Sequence, residues 1–273
     1  MFSFKQFTIQ QDRTAMKVCT DACVLGAYAD VGVGGRVLDI GTGTGLLALM
    51  AAQRNPTASV DAVEVDDAAF SQASENVAAS PFAERVQVVH TRIQEFPLTP
   101  GPSPRAGEGS RLGDRTSSLS QNGRGAGGKG KLYNRILTNP PFYTNHLRSP
   151  DAAVTRALHT DELPFPELLE AVVRLLTVEG QWWVLLPPYE TEKLTELANE
   201  VGLKPFQRLF LKHNEKKPVF RVITGFSFVD GPIIDETLRI YETNPRSQAD
   251  GKAPPATYTS EFRALLSDFY LLF

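Results

Sequence analysis

Short apolar runs alternate along this chain with stretches that are apolar on one side only. Apolar runs of roughly four to eight residues between turn signals are typical of buried strands, and apolar spacings of three and four residues are typical of helices. The pattern predicts strands over 36–40, 60–64, 86–90, 136–138, 181–186, 206–211 and 219–229, and helices from 46 onward and over 66–79, 165–176, 190–201 and 260–270. This alternation indicates an α/β fold with a doubly wound, mostly parallel sheet. The last two strands follow each other directly, which predicts one antiparallel strand in the edge region.

The N-terminal residues combine an alternating segment with an apolar helix. Residues 2–9 alternate apolar and polar side chains, which predicts a strand or one arm of a hairpin. Asp21 or Thr20 is suited to cap the apolar helix that follows, because short oxygen-bearing side chains accept the first free N–H groups of a helix. The same two side chains are equally suited to contact a ligand near the first strand of the sheet. The residues alone leave both readings open.

A glycine-rich turn follows the strand at 36–40. Its glycines are Gly41, Gly43 and Gly45, and Asp39 lies just before them at the end of the strand. A dinucleotide fingerprint requires a glycine where this chain has Leu46. Glu64 ends the next strand, where a carboxylate can accept hydrogen bonds from ribose hydroxyls. The pattern predicts a ligand on the turn; the alternative is a strand-to-helix turn without a ligand.

A second polar motif follows the strand at 136–138. Asn139-Pro140-Pro141-Phe142 stands at the carboxyl end of that strand, where doubly wound sheets bind ligands. The Asn139 side-chain carbonyl and the Pro140 backbone carbonyl can accept both hydrogens of a planar amino group, and Phe142 can stack on a ring. Such a grip directs the nitrogen lone pair at an electrophile. The alternative is a rigid Pro-Pro turn that packs an aromatic side chain.

The glycine motif with Glu64 resembles the cofactor loop of class I S-adenosylmethionine-dependent methyltransferases. Together with residues 139–142, it resembles methyltransferases that modify adenine N6, guanine N2 or glutamine N5. Several segments are similar to the bacterial valine-tRNA (adenine-N6)-methyltransferase family, namely residues 4–7, 12–13, 16–18, 20–21, 25–27, 139–143 and the closing 269–271. This resemblance implies a Rossmann-like class I methyltransferase that uses S-adenosylmethionine and tRNA. The implied target is N6 of the adenosine 3′ of the anticodon, at position 37.

The same resemblance implies roles for individual residues. Catalysis would involve Asn139, Pro140, Pro141 and Phe142, which would grip the adenine. Cofactor binding would involve Thr20, Asp21, Asp39, Gly41, Gly43, Gly45 and Glu64, with Glu64 on the ribose and the others around the methionine end. One position departs from the family pattern: Arg92 aligns where an acidic residue usually accepts the cofactor's adenine amine, and an arginine cannot accept that bond. Gln94 or a backbone carbonyl would have to substitute, unless the alignment is shifted or cofactor affinity is reduced.

Composition limits the remaining possibilities. The chain is 42% hydrophobic but has no apolar run near twenty residues, and its first residues do not form a signal peptide. We therefore expect a cytoplasmic protein without a membrane partner. Its two cysteines, Cys19 and Cys23, are four apart on one helix face and lack further nearby ligands, so we expect buried thiols and no metal. We expect a monomer.

One segment lacks the apolar residues needed for a core. Residues 97–131 are rich in Gly, Ser, Pro and Arg, and we interpret them as a disordered insertion in a single methyltransferase domain spanning 1–273. The segment has six basic and two acidic residues, a net charge of +4, whereas the whole chain has −3. This charge could attract RNA, although an insertion without a role is the simpler interpretation.

Two other functions remain open from sequence alone. One is an rRNA guanine-N2 or DNA adenine-N6 methyltransferase, although guanine enzymes of this kind often have His after the tetrad, where this chain has Tyr143. The other is an RNA-binding module that binds the cofactor without catalysis. Individual RNA contacts are poorly determined, since each basic residue can equally be a solvated surface charge. The candidates are Lys5, Arg13, Arg148, Arg156, His159, Lys212, Lys216, Lys217 and Arg221.

Overall fold

The structure is a computed structural model that describes residues 1–14, 16–97, 132–140, 163–242 and 257–273. The strands are β1 Phe2–Ser3, β2 Thr8–Ile9, β3 Arg36–Ile40, β4 Ser59–Glu64, β5 Val86–His90, β6 Tyr133–Thr138, β7 Leu176–Leu186, β8 Lys204–Lys212, β9 Val219–Ser227 and β10 Ile234–Arg239. The helices are α1 Thr20–Tyr28, α2 Leu46–Arg54, α3 Asp67–Ala78, α4 Phe165–Leu175, α5 Pro188–Glu200 and α6 Ser260–Leu266. The predicted insertion at 97–131 lies outside the described residues apart from Pro97.

An eight-stranded sheet organises the molecule, with the order β10-β8-β9-β7-β6-β3-β4-β5. All neighbouring strands pair in parallel except β9, which is antiparallel to both β7 and β8. The predicted α/β fold with one antiparallel strand is therefore confirmed, and that strand is the third from the β10 edge. Because only β9 is reversed, β3, β6, β7, β8 and β10 all end at the same edge of the sheet, which we call the carboxyl edge.

Apolar clusters cover both faces of the sheet. One face packs against α1, α2, α3 and α6, and the other against α4 and α5. Adjacent Trp182 and Trp183 of β7 are both fully buried, one in each cluster, because successive strand side chains point to opposite faces. The central strands thus read as continuous apolar runs, which is why they were predictable from sequence.

The two ends of the chain pack against each other in a unit that we call the terminal clasp. It consists of the β1–β2 hairpin and residues 267–273. Phe4 forms a β-bridge with Tyr270, and the Lys5 ammonium donates to the carbonyls of Ser267 (2.5 Å) and Phe273 (2.9 Å). This clasp anchors the start of the segment that leads from β2 to α1.

The prediction that Thr20 or Asp21 caps α1 is wrong. Cys19 is the capping residue, with extended backbone angles and no side-chain cap, and Thr20 and Asp21 are the first two helical residues. The carboxylate of Asp21 instead pairs with the guanidinium of Arg221 on β9 at 3.1 Å. Asp21 therefore makes a long-range ion pair with Arg221 in place of the predicted capping hydrogen bond.

Candidate active site

The glycine turn between β3 and α2 has left-handed backbone at each of its three glycines. The φ angles are +70° at Gly41, +58° at Gly43 and +84° at Gly45. A Cβ added at Gly41 or Gly43 would meet no atom of the described chain within 4 Å, whereas one at Gly45 would touch Ala73 at 3.7 Å. Two of the glycines therefore leave the backbone open to close approach. At Gly45 a Cβ would make only ordinary van der Waals contact, so the left-handed φ is what favours glycine there.

The carboxylate of Glu64 holds this turn in shape. One of its oxygens accepts the Gly43 N–H at 2.8 Å, and the other accepts the N–H groups of Val65 and Asp66 at 2.8 and 3.0 Å. A carboxylate offers about four acceptor positions, so three backbone bonds leave about one for a ligand hydroxyl. Glu64 thus connects the end of β4 to the glycine turn directly.

Asp39 lies beneath the turn and is fully buried. Its Oδ2 accepts the Thr42 hydroxyl at 2.6 Å and the Ala48 N–H at 3.1 Å, while its Oδ1 is buried without a hydrogen-bond partner among the described residues. Burial raises the pKa of the Asp39 carboxyl to about 7, although the two hydrogen bonds oppose that shift and the charge of Glu64 adds to it. Asp39 therefore supports the turn from inside.

Asn139 stands next to the turn because of strand pairing. β6 pairs in parallel with β3, and Thr138 lies opposite Ile40, so the residues that follow each strand emerge side by side at the carboxyl edge. The Asn139 Oδ1 is buried and accepts no hydrogen bond from the described residues. Pro140 is buried as well, whereas Pro141 and Phe142 lie outside the described residues. The described part of the tetrad thus presents an unused carbonyl oxygen beside the glycine turn.

A polar network on α3 was missed in the sequence. Buried Asn76 donates to the Thr44 carbonyl in the glycine turn at 2.9 Å and to the Gln10 carbonyl at 2.8 Å, and its Oδ1 accepts the Gln10 N–H at 2.8 Å. Gln72, one helical turn earlier, accepts the Arg13 N–H at 3.2 Å. These bonds fix the N-terminal strap, residues 10–14 and 16–18, to α3 beside the turn. The available signal was two amides spaced by four residues within the apolar stripe of Ala69, Ala73 and Val77.

The corner expected to bind an adenine ring has Arg92 exposed after the end of β5. The neighbouring Thr91 N–H donates to the Glu64 carbonyl at 3.0 Å, and the Gln94 amide donates to the Glu167 carboxylate at 2.5 Å. Gln94, considered as a substitute acceptor, is therefore bonded to α4 through its amide nitrogen. The role of this corner stays a prediction.

Both cysteines carry free thiols, with Cys23 fully buried and Cys19 partly exposed. Burial raises the pKa of each to about 12, so both thiols stay protonated at neutral pH. Within the described ranges, no three His, Cys, Asp or Glu side chains are grouped to hold a metal ion.

Among the described residues, no helix combines the length and apolar character needed to cross a membrane.

Comparison with known proteins decides the family. Residues 24–96 match the family model "Methyltransferase small domain". The chain is 42% identical to the tRNA1(Val) (adenine(37)-N6)-methyltransferase of Dyadobacter fermentans, with 100% of this chain and 98% of that protein covered. It is 34% identical to the Pedobacter heparinus protein of the same name, with the same coverage. This chain belongs to the tRNA1(Val) (adenine(37)-N6)-methyltransferase family.

The fold of this family member agrees with that of solved methyltransferases. The chain superposes on a predicted O-methyltransferase from Agrobacterium tumefaciens with a TM-score of 0.57 and 14% identity, covering 91% of this chain and 96% of that one. At that identity the likeness concerns the Rossmann-like fold alone. It confirms the predicted architecture.

Enzymes of this family use S-adenosylmethionine, and the residues around the turn fit that molecule. Open space at Gly41 and Gly43 permits close approach, and the N-terminus of α2 directs its dipole there. Glu64 supplies carboxylate oxygens at the end of the neighbouring strand. Hydrogen bonds join Glu64 to Gly43 and Asp39 to Thr42 of the same turn, and strand pairing places Asn139 beside it. Thr20 and Asp21 lie further along the same edge, next to Arg221; their contact with cofactor stays a prediction.

Proposed function

We propose that this protein transfers a methyl group from S-adenosylmethionine to N6 of adenosine 37, the nucleotide 3′ of the anticodon in a valine tRNA. The observation that carries the proposal is the buried carbonyl oxygen of Asn139 beside the glycine turn, which accepts no hydrogen bond from the described residues, in a chain of this family. A buried acceptor without a partner is uncommon in folded proteins and marks a position where a donor belongs. An exocyclic amino group is such a donor.

In this proposal the chain acts by binding and orientation. Asn139 Oδ1 accepts one hydrogen of the adenine amino group, and the Pro140 carbonyl accepts the second. Held in this way, the nitrogen directs its lone pair away from the ring and toward the glycine turn. The cofactor, when bound, supplies an already activated sulfonium methyl group. Positioning then contributes most of the rate enhancement, and no strongly basic side chain is needed because the methylated nitrogen loses its proton readily.

The cofactor is held, in the same proposal, by the groups assembled around the turn. Gly41, Gly43 and Gly45 contact its amino-acid end, with Asp39 supporting them from below, and Glu64 accepts from the ribose. Thr20 and Asp21 lie toward the methionine side. Pro141 and Phe142 complete the grip on the target base. The partner is tRNA, and residues 1–273 act as a single domain, which the shared eight-stranded sheet supports.

The test compares two asparagines from opposite ends of β6. Purified wild type, Asn139→Ala and Asn134→Ala are incubated with labelled S-adenosylmethionine and a valine tRNA, and both ribonuclease fragments of the tRNA and nucleosides are then analysed. Wild type should yield N6-methyladenosine at position 37. Asn139→Ala should lower kcat by about 10²–10³-fold, by analogy with removal of one transition-state hydrogen bond, while cofactor Kd stays within about threefold.

Asn134→Ala is the matched control, because Asn134 accepts the Arg36 N–H at the other end of the same strand, far from the carboxyl edge. Its turnover should equal that of the wild type. Label in 2-methylguanosine or only in protein would overturn the proposed function. Unchanged turnover in Asn139→Ala would overturn the proposed mechanism.

A further inference from the structure

The hairpin that joins β8 to β9 projects from the carboxyl edge. β8 runs parallel to β6 and β3 across the sheet, so Lys212 ends β8 at the edge where Asn139 follows β6. Arg221 near the start of β9 pairs with Asp21 at the first turn of α1. The hairpin is therefore fixed on the same side of the molecule as the candidate active site, although it is distant in sequence.

This hairpin is strongly basic in an acidic protein. Residues 212–221 contain Lys212, Lys216, Lys217 and Arg221 against a single acidic residue, Glu215, whereas the whole chain has a net charge of −3. Lys212 donates to the Glu215 carbonyl at 3.0 Å. The ammonium groups of Lys216 and Lys217 are exposed and bond to none of the described residues. Two cations thus extend into solvent from a fixed loop.

Aromatic side chains accompany these charges. The exposed imidazole of His213 stacks on Phe220 across the hairpin, with ring centres 4.1 Å apart and planes 7° from parallel. Next to it, the Tyr241 N–H donates to the His213 carbonyl at 2.8 Å, and the Tyr241 ring stacks on Tyr258 at 5.1 Å. Basic side chains interleaved with flat rings are the composition that single-stranded RNA surfaces share.

The distance to the candidate active site suits a nucleic-acid substrate. β9 is two strands and β8 three strands from β6 in the sheet. At about 4.8 Å per strand, the hairpin lies roughly 10–14 Å along the edge from Asn139. A nucleic acid whose phosphate backbone continues beyond the reacting base can extend that far.

We propose that the β8–β9 hairpin is a docking surface for the phosphate backbone of the tRNA, with Lys216 and Lys217 as its principal contacts. This inference rests on the proposed function and adds to it the location of the RNA away from the reacting base. Phosphate contacts position the RNA without reading its sequence. The lysines therefore contribute to tRNA affinity and its salt dependence, and they do not contribute to the methyl-transfer step or to cofactor binding.

The experiment measures binding of a valine tRNA transcript over about 50–300 mM KCl for the full chain. The variants are Lys216→Ala/Lys217→Ala and, with equal loss of charge, Lys193→Ala/Lys204→Ala. In the control pair, Lys193 bonds to Glu196 and Lys204 to Asn199, both outside the hairpin. The hairpin variant should lower the slope of log affinity against log salt by about one to two and raise KM for tRNA about tenfold, with kcat and cofactor Kd unchanged.

Equal slopes for the two double variants and the wild type would overturn the docking surface. Formation of N6-methyladenosine by the wild type on the same transcript is scored in parallel, so the two proposals fail separately. Methylation with equal slopes contradicts the hairpin alone. If the salt-dependence slope falls in the hairpin variant but the wild type methylates no tRNA, the proposed function is contradicted. The proposal that the hairpin binds RNA would still stand.

Discussion

Gly43 combines two properties that a substitution can separate. Its backbone has a left-handed φ of +58°, and a Cβ there would meet no atom of the described chain within 4 Å. Strain from an alanine at such a position is about 1–2 kcal/mol and does not depend on neighbours. The added methyl group, however, would occupy the space in which we place the cofactor. Stability and cofactor affinity should therefore respond differently.

The prediction uses Gly202 as a matched glycine. It has a φ of +86°, also has nothing within 4 Å, and lies between α5 and β8 at the opposite edge of the sheet. Gly43→Ala and Gly202→Ala should each lower the free energy of unfolding by about 1–2 kcal/mol. Only Gly43→Ala should weaken cofactor binding, by about tenfold or more, in calorimetric titration with S-adenosylmethionine. Equal cofactor affinity in both variants would remove Gly43 from the site.

Asp39 should produce a recognisable pH dependence. Burial raises its pKa in the folded protein to about 7, above the value of about 3.9 in an unfolded chain. Between these values the folded state binds the additional proton, so the free energy of unfolding falls as pH rises from about 4 to 7. Asp39→Asn cannot ionise, and the difference between wild type and variant should change by up to about 4 kcal/mol over that range. Denaturant unfolding at several pH values measures it, and parallel pH profiles would contradict the shift.

At the scale of elements, the N-terminal strap, α3 and the glycine turn act together through Asn76. Its amide bonds to Gln10 on the strap and to Thr44 on the turn. No local pattern specifies these contacts, because 66 residues separate Gln10 from Asn76. The position of the strap on α3 could therefore be recognised only from the three-dimensional structure. Its function, in our interpretation, is to hold the backbone of the turn in the conformation that leaves space at Gly41 and Gly43.

A comparison of Asn76→Ala with Asn55→Ala should show whether Asn76 supports cofactor binding in addition to stabilising the fold. Asn55 is equally buried and also makes three backbone hydrogen bonds, to Val31 and Gly34, at the other edge of the sheet. Each substitution should lower unfolding free energy by about 2–3 kcal/mol through unpaired buried groups. Asn76→Ala alone should raise KM for S-adenosylmethionine several-fold and speed amide exchange in the strap. Equal KM values in Asn76→Ala and Asn55→Ala would show that Asn76 stabilises the fold without supporting cofactor binding.

The edge strand β10 shows where sequence patterns fail at this scale. Of its six residues only Leu238 is buried, so no apolar run or alternation indicates a strand. Instead it pairs with β8, supported by the bidentate contact of Arg208 with Asp235 at 2.7–2.8 Å. The central strands were predictable because burial on both faces leaves apolar runs. A solvent-exposed edge strand is specified by its partner, and the local sequence does not reveal it.

For the whole molecule, the alternation of the central strands and helices was predictable from the chain, whereas the edge strand β10 was not. Local spacings also placed Asp39, Gly41, Gly43, Gly45 and Glu64 at one turn, and their contact with the cofactor stays a prediction. The strand pair 206–211 and 219–229 was predicted as well. The ion pair between Asp21 and Arg221 and the position of the β8–β9 hairpin beside the candidate active site were not predictable, because both depend on which strands are neighbours in the sheet. Residues that are close together in the sequence could thus be assigned to one site from the sequence alone. The residues that surround this site could be assigned only once the order of strands in the sheet was known.

The terminal clasp has a consequence for biosynthesis. Lys5 bonds to a carbonyl 262 residues later in the chain, and the strap continues directly from the hairpin that this bond secures. A ribosome translating the message therefore releases the early segment long before its anchor exists. Contacts that distant form late in folding. The strap of a nascent polypeptide should consequently gain its anchor at the clasp only after synthesis has passed Tyr270.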